Sequence, residues 1–194
     1  APEEAASFLL QVLAPEDGNI TPEILDLTVK NIAAFREAVG PKVDICQDIN
    51  FYFKTEGNIQ VARALEPYKL MWLEIDTFDP QALLQVKQAT TLPICSCESL
   101  YTTREYRPFF ELHAMDVCMI DVPWNGITQG RKIADMAEIY EMQVAPHNYY
   151  SHLSTFASGH LCASVPNFKI METDPDSVSW RDDITTEAPV LKNG

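Results

Sequence analysis

Val117-Cys118-Met119-Ile120-Asp121 is a run of four apolar residues closed at once by a carboxylate. A half-exposed antiparallel strand would alternate apolar and polar positions, so so short and unbroken a run suits a parallel strand buried on both faces. Five other short runs, most of them continuously apolar, follow the same order along the chain: Val43–Ile49, Leu70–Leu73, Leu92–Cys95, Met142–Ala145 and Phe168–Met171. Segments with helical apolar spacing separate them, at Ile59–Leu65, Gln81–Ala89, Thr103–Leu112, Gly130–Glu141 and Ser154–Ser164. A further helix precedes the first run. Thr21 offers an N-cap and Pro22 a first helical position, Leu25, Val29, Ile32, Phe35 and Val39 recur at three- and four-residue steps, and Gly40 supplies the stop. About six βα units in succession read as α/β.

The residues at the downstream ends of the six runs decide between α/β architectures. They are Asp48, Glu74, Glu98, Asp121, His147 and Glu172, at intervals of 26, 24, 23, 26 and 25 residues. Acids often follow strands because they suit turns and helix N-termini, but that preference does not account for six ionisable groups in register. In a (β/α)8 barrel the strand ends converge on one face, where active sites are built. A doubly wound sheet gives no reason for each strand to end this way, and the sequence holds no Gly-x-Gly-x-x-Gly dinucleotide signature. The expected fold is therefore a partial (β/α)8 TIM-type barrel occupying residues 1–194.

Composition narrows the partners. With 14 Lys+Arg against 28 Asp+Glu in 194 residues, the net charge is −14 and no basic cluster stands out, which disfavours nucleic acid and anionic lipid. No stretch approaches a membrane span, and Ser7–Ala14 follows Glu3 and Glu4 instead of a basic flank, so nothing marks export and the expected location is cytoplasmic. The five cysteines, Cys46, Cys95, Cys97, Cys118 and Cys162, form an odd set without zinc spacing and read as reduced core residues. His113, His152 and His160 read as structural.

Asp48, Glu74 and Glu98 come from three successive strands. Three carboxylates suit Mg²⁺, a hard cation that takes oxygen ligands. Asp121 and His147 end two later consecutive strands, where a carboxylate can hold one imidazole nitrogen while the other faces a substrate, as in general acid–base catalysis.

From about Asp44 to Glu172 this ordered set resembles the mandelate racemase-like branch of the enolase superfamily. Asp48-Ile49-Asn50 is similar to its third-strand Asp-x-Asn, Met71-Trp72-Leu73-Glu74 to its fourth-strand segment, and Cys97-Glu98 to its fifth-strand Gly-Glu. Asp121 and His147 match its Asp-His dyad, and Asn167–Glu172 its eighth-strand Glu. Glu74-Ile75-Asp76 stands where Glu-Glu-Pro is usual, Cys97 replaces a glycine, and Asn125-Gly126-Ile127-Thr128 stands for a Gly-Gly-x-Thr loop.

The resemblance implies Mg²⁺ on Asp48, Glu74 and Glu98, catalysis by His147, Asp121 and Glu172, and Asn50 at the substrate. It further implies a lyase that dehydrates a sugar acid, by removing the proton α to a carboxylate through an enediolate. The parent would be a homo-oligomer carrying an N-terminal capping domain and first barrel strands that this sequence lacks. The second of those strands would bear the opposite-face base. A racemase or epimerase of a 2-hydroxy acid using the same metal site, and a non-catalytic barrel remnant, are the alternatives.

Overall fold

The computed structural model describes residues 17–174, 178 and 180–192, so Ser7–Ala14 lies outside the described residues. The chain divides into two compact units, one formed by residues 1–96 with 112–116, the other by 97–111 with 117–194.

The first unit opens with α1 (Pro22–Val39), started by Thr21, whose hydroxyl accepts the Ile24 N–H, and stopped at Gly40, whose φ of 73° is open to glycine. Its buried positions are Ile24, Thr28 and Ile32, while Val39 is exposed. The helix is therefore turned by about one residue from the face that Leu25 and Val29 predict, because Thr28 can bury by donating its hydroxyl to the Ile24 carbonyl, 2.9 Å away.

Next come β1 (Cys46–Asp48), α2 (Thr55–Leu65), a 3-10 turn at Glu66–Tyr68, β2 (Trp72–Glu74), α3 (Pro80–Ala89) and β3 (Ile94–Ser96). The strands pair in parallel, Asp48 beside Glu74 and Glu74 beside Cys95. Every residue of β2 and β3 is buried, as a sheet covered on both faces requires. At the C-terminus of α1, the Arg36 guanidinium donates to four carbonyls: Gly40 at 2.9 Å, Val43 at 2.6 Å, Tyr68 at 3.0 Å and Lys69 at 3.3 Å.

The second unit contains α4 (Thr102–Glu111), β4 (Val117–Cys118), α5 (Val122–Ile139), β5 (Gln143–Val144) and α6 (His152–Ser164). Val117 pairs in parallel with Gln143 and Cys118 with Val144. Gly130 lets α5 approach α6, since a Cβ there would stand 3.0 Å from Leu161.

The βα order stands, but the strands are shorter than the apolar runs. The Val43–Ile49 run ladders only from Cys46, because Val43 lies exposed before the strand. Phe168–Met171 is reduced to a parallel bridge between Phe168 and Val144, so the described strands number five where six were expected. The Asn125–Thr128 segment, expected as a loop, lies within α5, broken at Gly126 with φ 71° and ψ 159°.

Cys95, Cys97, Cys118 and Cys162 are buried and outside any disulfide, as expected, and burial pushes the Cys162 thiol up to about 12. Cys46 is the exception and is exposed, because β1 leaves one side uncovered. Among the described residues no helix is long and apolar enough to cross a membrane.

Candidate active site

In the first unit each strand-end acid is held by a residue two positions away. Asn50 takes both oxygens of Asp48, its backbone N–H donating to Oδ1 and its amide to Oδ2, each at 2.7 Å. Asn50 does so with φ 45°, a left-handed conformation that asparagine tolerates better than most side chains. Its carbonyl accepts the Asp76 N–H at 3.1 Å, tying the loops after β1 and β2. Glu74 is buried, and its Oε2 accepts the Trp72 indole N–H at 3.2 Å.

In the second unit the functional groups meet one another. His147 Nδ1 lies 2.8 Å from Asp121 Oδ2, and its Nε2 is turned toward Glu98 Oε2 at 3.5 Å and Glu172 Oε2 at 3.7 Å. Glu172 is steadied by Asn148, whose backbone N–H donates to Oε2 at 2.8 Å and whose amide donates to the Glu172 carbonyl at 3.1 Å. Asp121 also caps α5, its Oδ1 accepting the Trp124 N–H at 2.8 Å.

Burial opposes charge on His147. The Asp121 hydrogen bond and the carboxylates of Glu98, Glu172 and Asp121 outweigh it and carry the pKa from 6.5 up to about 9. Without a bound cation the imidazole therefore favours its protonated form at neutral pH.

Of the sequence-predicted residues, Glu98, Asp121, His147 and Glu172 come together as one cluster, and Asp48, Asn50 and Glu74 as neighbours at two strand ends. Among the described residues no three His, Cys, Asp or Glu side chains are already gathered as a metal cage. The donor chemistry of Asp48, Glu74 and Glu98 nevertheless fits a hard divalent cation, since every atom they could offer it is a carboxylate oxygen.

Cys97 adopts φ 90° immediately before Glu98, which gives a physical reason for glycine as the usual residue there. Sequence reasoning missed Tyr150, whose hydroxyl donates to Asp121 Oδ2, and Arg181, whose guanidinium reaches the Tyr150 carbonyl. Neither sits at a strand end, so the strand-end rule could not find them. His152 is structural as expected and pairs through Nε2 with Asp182 Oδ1 at 2.6 Å.

Residues 17–194 match the family described as enolase C-terminal domain-like. A D-xylonate dehydratase from Haloferax volcanii is 35% identical over 178 residues, which are 89% of this chain and 42% of that protein. Other curated relatives are sugar-acid dehydratases as well.

One similar solved structure is a protein provisionally named an L-alanine-DL-glutamate epimerase from Burkholderia xenovorans, bound to magnesium and fumarate. It is 40% identical with a TM-score of 0.91, covering 95% of this chain and 46% of its own. Another is a mandelate racemase/muconate lactonizing enzyme-like protein from Rubrobacter xylanophilus, 36% identical with a TM-score of 0.84, covering 90% of this chain and 46% of its own. The chain spans less than half the length of these relatives. These likenesses bear out the partial barrel class.

Proposed function

This chain belongs to the enolase C-terminal domain-like family, and from that premise we propose that the full protein is a Mg²⁺-dependent hydro-lyase that dehydrates a sugar acid. The observation that carries the reading is His147, bonded at Nδ1 to Asp121 with Nε2 turned to Glu98 and Glu172. Asp48, Glu74 and Glu98 would hold Mg²⁺, whose chemistry is to polarise the substrate carboxylate and so acidify the α-carbon.

His147 serves one face of the substrate. It takes the α-proton, or it donates the Nε2 proton to the departing hydroxyl, which leaves as water while the electron pair of the enediolate closes the new double bond. Asp121 balances the imidazolium charge and fixes which nitrogen carries the second proton. Glu172, held by Asn148, supplies a further group on the enediolate side. Asn50 orients Asp48 through two hydrogen bonds, which gives it a positioning part in addition to its expected place at the substrate. We further place the enzyme in the cytoplasm as a homo-oligomer acting on a small carboxylate, with neither nucleic acid nor membrane as partner.

The test is incubation of the full-length protein and Mg²⁺ with a panel of aldonic and aldaric acids, following formation of the 2-keto-3-deoxy acid. Water loss from at least one acid, slowed by about 10²–10⁴-fold in His147→Asn, is the expected result. Exchange of the α-hydrogen with solvent deuterium without water loss would favour the racemase or epimerase reading, the activity named for the Burkholderia protein. Neither reaction on any acid would leave a non-catalytic barrel.

A further inference from the structure

Asp121 holds more than His147. Its Oδ1 accepts the Trp124 backbone N–H at 2.8 Å, while Oδ2 accepts from two side chains, His147 at 2.8 Å and the Tyr150 hydroxyl at 2.5 Å. The Tyr150 ring meets the imidazole edge-on, with centroids 5.4 Å apart and planes at 89°. Behind it, buried Arg181 clamps the backbone, donating to the Tyr150 carbonyl at 2.6 Å and the Asp174 carbonyl at 2.8 Å.

We propose that Tyr150 is a positioning residue for proton transfer by His147, its hydroxyl fixing the plane of the Asp121 carboxylate so that Oδ2 stays opposite Nδ1. The proposal deepens the dehydratase reading and rests on it for its catalytic consequence. The terminal torsion of an aspartate is a broad, two-fold rotor. One anchor on Oδ1 leaves the carboxylate free to swing about that bond, whereas a second anchor on Oδ2 fixes the plane. The edge-on ring contact then limits rotation of the imidazole itself.

Tyr150 is suited to this part and not to proton exchange. Burial, followed by its bond to Asp121, raises its pKa well above the usual phenol value, so the hydroxyl remains a donor across the working pH range. It touches no reacting atom. The Arg181 clamp explains how a residue in the segment between β5 and α6 keeps its register: two carbonyls, from Tyr150 and from Asp174, are held by one rigid fork.

The experiment uses the full-length protein with Mg²⁺ and ¹⁵N-labelled histidine. In wild type the Nδ1–H of His147 should give a resolved, slowly exchanging resonance. Tyr150→Phe, which keeps the ring and removes only the hydroxyl, should move or broaden it. The same variant should lower kcat about tenfold with KM unchanged within about twofold. In a His147→Asn background it should alter the residual rate by less than about twofold, since the two residues act as a unit.

An unmoved Nδ1–H resonance in folded Tyr150→Phe overturns the proposal, as do equal losses in both backgrounds. A moved resonance in a protein whose wild type dehydrates no sugar acid supports the positioning and sinks the dehydratase reading instead. If Tyr150→Phe fails to fold, replacement of tyrosine by 3-fluorotyrosine keeps the ring and hydroxyl. The resonance should then shift, and an unmoved one again overturns the proposal.

Discussion

Asp48 and Glu74 of the first unit each take a donor from two residues away along the chain, whereas Asp121, beyond its local cap on Trp124, and Glu172 of the second unit are bonded across the fold. Asp48 takes its donors from Asn50 and Glu74 from Trp72, each two residues away. Asp121 bonds His147, 26 residues on, and Tyr150, 29 residues on, while Glu172 takes its donor from Asn148, 24 residues back. Contacts two residues apart need almost no loop closure and form with the strand itself, whereas contacts across some 25 residues exist only when the whole unit is assembled. The first arrangement presets carboxylate orientation cheaply. The second makes the state of one imidazole depend on several chain segments at once.

The sharpest way to break that contrast is to remove its hub. In the full-length enzyme His147→Asn should leave Mg²⁺ affinity unchanged while lowering turnover by about 10²–10⁴-fold, measured as kcat on the identified acid. Wild-type rates would make the Asp121–His147 pair structural.

The same hub should govern pH stability in the metal-free, chelated protein. Because the folded pKa of His147 is raised, its contribution is fully present below pH 6.5 and is lost as pH rises through about 9. The contribution is of order 3 kcal/mol for a shift of this size. Wild type should lose thermal stability over that window relative to His147→Asn, and parallel melting profiles for the two proteins would contradict the long-range electrostatics described for the second unit.

A smaller effect is expected where the hub touches the proposed Mg²⁺ ligands, at Glu98. Glu98→Gln should weaken Mg²⁺ binding by at least about tenfold, or roughly 1.4 kcal/mol, in a calorimetric titration. Unchanged affinity would remove Glu98 from the metal.

The smallest change should come from the strand-local side. Asn50→Gly keeps the left-handed conformation and the backbone donor but deletes the amide bond to Asp48, and should cost less than about 1 kcal/mol of folding stability in denaturant titration. A loss larger than that of the Glu98 and His147 variants would show that local holding is not the cheaper design.

The same contrast governs what could be read from sequence. The six strand-end groups were legible because each stands within three residues of the end of a largely apolar run, and the helix caps at Thr21 and Gly40 because capping is a matter of two or three adjacent residues. Strand lengths were not legible: hydrophobicity continues through Met119 and Ile120, both buried, although the ladder stops at Cys118. Burial without pairing looks the same in sequence as a strand. The role of Asn50 lay half in view, since Asp-x-Asn was visible but its bonding was not. Tyr150 and Arg181 were invisible because Asp121 selects Tyr150 across 29 residues and the Tyr150 carbonyl accepts from Arg181 across 31, distances over which no periodicity carries information.

Arg36 shows what such a contact means for how the chain can drift. It grips Gly40, Val43, Tyr68 and Lys69 only by their carbonyls, which every amino acid possesses. The side chains at Val43 and Tyr68 are therefore open to replacement without disturbing the grip, and Lys69 within what its left-handed φ of 52° tolerates, whereas Arg36 itself is not. A lysine presents its protons from a single atom and cannot span carbonyls arranged around the edge of a planar fork. Mutational constraint from two separate bends of the chain is thus concentrated in one side chain.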